Sequence, residues 1–331
     1  MNNALPFASA ISQSIARFVA LKQALGRKFS GECAVLKHLD AFLAVAHADL
    51  DADSFAAWCR TREHLTPTVR RNWMRVVRNL CLYRRRTEPA CFVPDASQFP
   101  PPHQPVRPHI FTETEISRLL AAADRLRPGS RSPLHRENFR LALVLLYTTG
   151  IRRGELLGLT VGDYDPGERT LLIRESKFHK SRLLPLSNEG ASELEAYLNV
   201  RRARRLPLGA DAPLLWNNYK NGGRAYTGVG FGETVGALFQ AAGIRTVAGG
   251  SPRVHDFRHA FAVHALLRWY RAGEDMQAKL PLLATYMGHV SVVSTAYYLP
   301  FVEQLAASAS EQFAQRCGGL ITPDSFDGGG L

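Results

Sequence analysis

From Pro67 to Arg86 the chain reads "PTVRRNWMRVVRNLCLYRRR", and its apolar side chains return every three or four positions. Val69, Trp73, Val76, Leu80 and Tyr83 fall on one face of a helix. Arg71, Arg75 and Arg78 fall on another, and Arg84, Arg85 and Arg86 close it. Residues 10 to 97 as a whole read as several helices. The stretch "FPPPHQPVRPHIFT" then breaks the pattern, because its five prolines forbid a helix and favour an extended linker. Directly after it, "TETE" at Thr112 to Glu115 has the form of a capping box that starts a helix into "ISRLLAAAD".

Further along, the periods mix. Residues 138–149 read as a buried helix, and a second helix begins near Arg152. "RTLLIR" (169–174) and "SRLLPL" (181–186) read as two strands of a hairpin joined by "ESKFHK". Residues 187–205 form a helix capped by Ser187 or Asn188. The glycine-rich stretch 218–252 reads as irregular. Helices follow at 255–270 and within 280–289. In 302–315, Val302, Leu305, Ala309 and Phe313 share one apolar face, which packs either on a neighbouring protomer or on its own chain. The pattern predicts a mostly α fold with a small β-sheet (α+β). The expected organisation is a helical domain over 1–98, a linker over 99–111, a mixed α/β domain over 112–316 and a disordered tail over 317–331.

Composition narrows the function. The chain has 331 residues, 46% hydrophobic and 21% charged, which suits two globular domains. A formal net charge of +12 suits a polyanionic partner, nucleic acid first and an anionic membrane second. The membrane reading is weak, since the longest apolar run, Leu141 to Tyr147, is far short of the roughly 20 residues a spanning helix needs. The N-terminus has no basic segment ahead of an apolar run, so no signal peptide is expected. The five cysteines are scattered without a C-x-x-C pair and read as reduced thiols of a cytoplasmic protein. No acidic residue occurs from 64 to 87 to neutralise the arginine stripe. Arg71, Arg75, Arg78, Arg84 and Arg85 are therefore candidate contacts to a DNA backbone, against the alternative of a solvated helix face.

Four places carry polar residues that packing does not explain. In "TTGIRRGELLGL" (148–159), Arg152 stands at a helix N-terminus, the wrong end of the dipole for a cation unless an anion binds there too. The competing reading pairs it with Glu155 one turn on. In "HDFRH", His255, Arg258 and His259 share a helical face. The spacing resembles a zinc motif, but Asp256 replaces the catalytic glutamate and Arg258 would put a fixed cation beside the metal. Arg258 and His255 suit a phosphate better. Lys177 sits at the hairpin tip, with Lys180 as a second candidate. Finally, "MGHVSVVSTAYYLP" (287–300) opens on His289 and closes on twin tyrosines. If 290–299 is helical, Val290, Val293 and Tyr297 pack inward, while Ser291, Ser294 and Tyr298 face an open site. Tyr298 is then the candidate nucleophile and Tyr297 the packing residue.

Together these motifs resemble the tyrosine recombinases, the phage integrase family. The first arginine box resembles "TGIRRGELLGL" and assigns its role to Arg152. The second resembles "HDFRHAFA" and assigns His255 and Arg258. "MGH" supplies His289, the tyrosine falls nine residues later at Tyr298, and "SKFHKSRLLPL" supplies Lys177. The resemblance covers roughly 109 to 300. Ser176, Phe257 and Met287 depart from the commoner glycine and leucines without removing a reactive group. The resemblance implies a site-specific DNA recombinase that cuts and rejoins strands through a 3′-phosphotyrosine, needing no metal or nucleotide cofactor. It also implies double-stranded DNA with inverted-repeat core sites as partner, and a homo-oligomer on that DNA, a tetrameric synapse. A type IB topoisomerase would use the same residue types, and a catalytically idle DNA-binding protein would have no reason to keep the whole set.

Overall fold

The computed structural model describes residues 7–101, 107–130, 132–174, 181–219 and 222–302. The chain divides into two compact units, Met1–Val106 and Arg107–Leu331. The division falls within the proline-rich stretch. The two aromatic ends of that stretch are anchored: Phe99 is buried in the core of the first unit and Phe111 in that of the second.

The first unit is helical: α1 (Ser12–Ala24), α2 (Ser30–Ala46), α3 (Ala52–Arg60) and α4 (Pro67–Arg84). Pro67 starts α4 at a position where its missing N–H costs nothing. Asp51 caps α3 by accepting from the Ser54 N–H at 2.8 Å. Phe18, Leu36, Leu39, Leu43, Trp58, Val77 and Leu80 fill the core. Val69 lies at the edge of the expected apolar face and is exposed.

Two arginines of the expected DNA-contact set are occupied inside this unit. Arg84 is buried and pairs with Glu88 at 2.7 Å and Asp49 at 3.3 Å. It is a structural cation and not a free phosphate contact. The sequence hid this because both acids lie outside the arginine-rich helix itself. Arg71 donates to the Pro100 carbonyl at 2.6 Å and so ties α4 to the segment after it. Arg75 and Arg85 remain exposed.

The second unit packs helices around a small sheet. It holds α5 (Glu113–Asp124), α6 (His135–Thr149), α7 (Arg153–Gly158), β1 (Tyr164–Asp165), β2 (Thr170–Ile173), β3 (Arg182–Pro185) and α8 (Asn188–Ala203). The Thr112 hydroxyl accepts from the Glu115 N–H while the Glu115 carboxylate accepts from the Thr112 N–H, the capping box expected there. The three strands are antiparallel in the order β1-β2-β3, with Leu171 opposite Leu184. Ser187 caps α8 through the Gly190 N–H.

The stretch read as irregular holds regular structure. β4 (Trp216–Tyr219) and β5 (Gly222–Ala225) form a hairpin, and α9 spans Gly228–Ala241. Phe231, Val235, Leu238 and Phe239 bury a helical face of α9. The glycines of its first turns, each costing about 1 kcal/mol against alanine, obscured that periodicity. Burial of the apolar face outweighs them, with Phe239 and Phe257 stacking near Phe111. The chain continues through α10 (Asp256–Arg271), α11 (Met276–Met287) and the single turn α12 (Val293–Ala296). The segment 302–315 lies outside the described residues except for Val302, which is buried, and so does the tail 317–331. Among the described residues, no helix is long and apolar enough to cross a membrane, and the four cysteines are free thiols.

Candidate active site

The site is assembled around two left-handed helix ends that favour glycine. α6 ends at Gly150 with φ 61°, and a Cβ there would come within 2.5 Å of the Phe261 ring. α11 ends at Gly288 with φ 66°, and a Cβ there would meet the Arg182 guanidinium at 2.9 Å. The first turn delivers Arg152 and the second delivers His289.

Three arginines from separate elements converge on the second turn. Arg182 of β3 donates from Nε to the Tyr286 carbonyl at 2.9 Å. Arg258 of α10 donates from Nη2 to the Met287 carbonyl at 2.6 Å, and Arg152 from Nη2 to the Gly288 carbonyl at 2.8 Å. Three consecutive carbonyls at the end of α11 are thus each held by a different guanidinium. Arg258 also donates from Nη1 to the Gly150 carbonyl at 2.7 Å, so this buried side chain links the two helix ends. A guanidinium has five N–H groups in a rigid fork. Each of Arg152 and Arg258 gives two of its nitrogens to protein acceptors, which fixes the fork while leaving further N–H groups for a ligand.

One carboxylate serves this cluster. Glu155 accepts from Arg152 Nη1 at 2.6 Å, from the Arg152 N–H at 3.1 Å and from Arg182 Nη2 at 2.8 Å. The Arg152–Glu155 pair weighed from sequence is therefore formed, and it coexists with the tie to Gly288. Burial raises the pKa of Glu155, but hydrogen bonds from Arg182 and Arg152 outweigh it and hold the carboxyl below its ordinary value. Three guanidiniums against one carboxylate leave the cluster cationic, as an anion site requires. Burial and the neighbouring Arg152 push the pKa of Arg258 down to about 9. A phosphate between the two arginines would relieve that strain on the charged form.

The histidines lie beside the arginines. His255 opens α10 and keeps an exposed edge. Lost hydration against its neighbours, then Arg258, lowers its pKa. Burial, then Arg258 and Arg152, brings His289 down to about 4, so its imidazole is neutral near pH 7. His289 Nδ1 lies 2.7 Å from the Thr295 hydroxyl.

That bond overturns the expected orientation of the tyrosine segment. Val290, Val293 and Tyr297 are exposed at 63%, 78% and 42%, whereas Tyr298 is only 3% exposed. The segment is not a continuous helix from 290. Its single turn α12 is anchored by Thr295, which is fully buried against His289. The inward positions are then Thr295, Tyr298 and Val302, three and four residues apart. Polarity misled the reading because the half-buried imidazole of His289 draws a threonine inward and leaves valines outside. The Tyr298 ring lies 6.3 Å from that of His289 and 5.5 Å from that of His259. Burial raises its pKa, and Arg258 opposes that rise.

Five of the six expected catalytic residues, Arg152, His255, Arg258, His289 and Tyr298, therefore surround one region of the second unit. Lys177 lies outside the described residues, as does Lys180; β2 and β3 bracket them. Sequence reasoning missed Arg182 and gave Glu155 too small a part. The only trace of Arg182 was its place at the start of the second strand. Asp256 is turned away to bond Arg253, whose Nη2 lies 2.7 Å from it. Among the described residues, no group of three metal-binding side chains could hold an ion.

Comparison with known proteins gives the site its context. Residues 109–303 match the phage integrase family. The protein y4rB of Sinorhizobium fredii, provisionally named an integrase/recombinase, is 30% identical, over 93% of this chain and 98% of its own. Tyrosine recombinase XerD of Brucella abortus is 31% identical, over 64% of each chain. In fold, the chain is similar to the XerH site-specific recombinase bound to palindromic difH substrate, with a TM-score of 0.61, 21% identity, and coverage of 90% and 84% of the two chains. It is likewise similar to the Tn1549 transposon integrase bound to transposon right end DNA, with a TM-score of 0.59, 17% identity, and coverage of 87% and 93%. The chain belongs to the phage integrase family: it is a tyrosine recombinase, a DNA strand-exchange enzyme.

Proposed function

We propose that Tyr298 is the nucleophile and that Arg152 and Arg258 bind the scissile phosphate. The Tyr298 oxygen attacks phosphorus, the bond to the 5′-oxygen breaks, and a 3′-phosphotyrosine forms. The phenol, whose ordinary pKa is about 10, gives its proton to His255 as it attacks. Lys177 protonates the departing 5′-oxygen. Arg152 and Arg258 donate to the two non-bridging oxygens and stabilise the charge that develops there. His289 completes the hydrogen bonds around the phosphate. Attack by the 5′-hydroxyl of a second duplex reverses the step and reseals the strand, so no energy source is consumed.

The supporting observation is the tie of Arg258 and Arg152 to the adjacent carbonyls of Met287 and Gly288, immediately before His289, with the Tyr298 ring close by. The substrate in this reading is cytoplasmic double-stranded DNA carrying inverted-repeat core sites around a short spacer, bound by a homotetrameric synapse. A test supplies two duplexes bearing the inverted repeats found beside the gene and assays exchanged products. Relaxation of supercoiled plasmids lacking those repeats, without exchange, would overturn the reading.

Two further results follow from it. Arg75 and Arg85 are the exposed members of the helical unit's arginine set and are assigned to phosphates. Changing both to alanine should flatten the dependence of log affinity on log salt by roughly two units, about one for each contact. Arg84→Ala should lower thermal stability instead, because it releases Asp49 and Glu88. An unchanged slope in the double variant would return Arg75 and Arg85 to solvated surface.

Lys177 is separated from Lys180 by a sulfur substitution. A 5′-bridging sulfur leaves as a thiolate and needs no general acid. Lys177→Ala should be slow on ordinary DNA and fast on the sulfur substrate. Rescue of Lys180→Ala in its place would show that the wrong lysine carries the proton.

A further inference from the structure

One half-buried group at this site has no part in the steps above. His259 lies one turn beyond His255 on α10. Its ring stands edge-on to His255 at 4.7 Å and to Tyr298 at 5.5 Å, and is tilted against Tyr297 at 6.1 Å. Among the described residues it thus fills the space between the assigned base and the assigned nucleophile. Its Nδ1 is buried and has no hydrogen-bond partner. A buried polar atom left unpaired is costly, and natural proteins keep few of them without a use.

We infer that His259 is a positioning residue for the nucleophile: in the cleavage-competent arrangement its Nδ1 accepts a hydrogen bond from the Tyr298 hydroxyl and aims the phenol oxygen at phosphorus. The inference rests on the assignment of Tyr298 as nucleophile. The hydrogen bond breaks no covalent bond: the phenol's one proton points at His259 while the oxygen is being placed, and turns to His255 as Tyr298 attacks. Supporting this, burial, then His255, pushes the pKa of His259 down to about 4. The ring is therefore neutral near pH 7 and carries a lone pair. The charged groups that act on it are Arg253, Asp256 and Arg258. Among the described residues, the segment leading to Tyr298 is the single turn α12 anchored through Thr295, and a hydrogen bond to the hydroxyl adds a direction to the packing of the ring.

The chemistry predicts an asymmetry among substitutions. Asparagine places an acceptor oxygen near the Nδ1 position, and glutamine places one near Nε2. Phenylalanine keeps the ring volume and removes the unpaired nitrogen. His259→Phe should therefore fold at least as stably as the natural protein and bind DNA equally. Its single-turnover rate of covalent capture on a nicked substrate should fall tenfold or more. His259→Asn should recover much of that rate, and His259→Gln should not. A purely structural role predicts that rate follows stability through the series. Capture by His259→Phe at the natural rate, or equal recovery by Gln and Asn, would overturn the inference while leaving Tyr298 as nucleophile. A natural protein that forms no adduct at Tyr298 would overturn both.

Discussion

Replacing Arg258 by alanine should lower the rate of strand cleavage by roughly 10² to 10³, the loss typical when one preorganised donor to a developing oxyanion is removed. The guanidinium is buried at 2% exposure and spans the Gly150 and Met287 carbonyls. Its removal leaves two buried acceptors unpaired, at about 1–3 kcal/mol each. Stability should therefore fall as well, and a rate alone would not separate the two effects. Arg258→Lys provides the separation. It keeps the charge but cannot bridge both carbonyls and a phosphate with one ammonium. The lysine variant should bind DNA and regain most of the stability, yet remain at least tenfold slow in single-turnover cleavage. Cleavage at the natural rate would mean that Arg258 only braces the two helix ends.

The second large effect concerns the tyrosines. Tyr298→Phe removes one hydroxyl from a ring that stays packed against His259 and His289, so folding and DNA binding should persist while covalent capture disappears. Tyr297→Phe should keep the adduct. Its ring is 42% exposed, so the change should cost little stability. Capture that survives in Tyr298→Phe and vanishes in Tyr297→Phe would exchange the two roles.

These two residues mark what the sequence made legible. Arg258 and His255 were readable because a helix puts residues three apart on one face, and that local geometry survives folding. The hairpin 169–186 and the capping box at Thr112 were readable for the same reason: each is specified by near neighbours. The orientation of Tyr298 was not. It depends on a bond between His289 and Thr295, which reverses the usual preference of valine over threonine for burial. Arg182 was missed because its partners, Tyr286 and Glu155, are distant in sequence and meet only in the folded unit. Arg84 erred in the opposite direction: it belongs to an obvious basic run, yet Asp49 and Glu88 claim it. Charge runs report composition, and only packing decides which members remain available.

The identity of the covalent bond is the most direct test of Tyr298 as nucleophile. The natural protein, incubated with a nicked duplex carrying its core site, should trap the cut strand as the short fragment diffuses away. Digestion and mass spectrometry should then find the 3′-phosphate on the peptide containing Tyr298, at that residue, with a free 5′-hydroxyl on the released fragment. A phosphate mapped to Tyr297 or to any other side chain, or cleavage that leaves a 5′-phosphate, would contradict it.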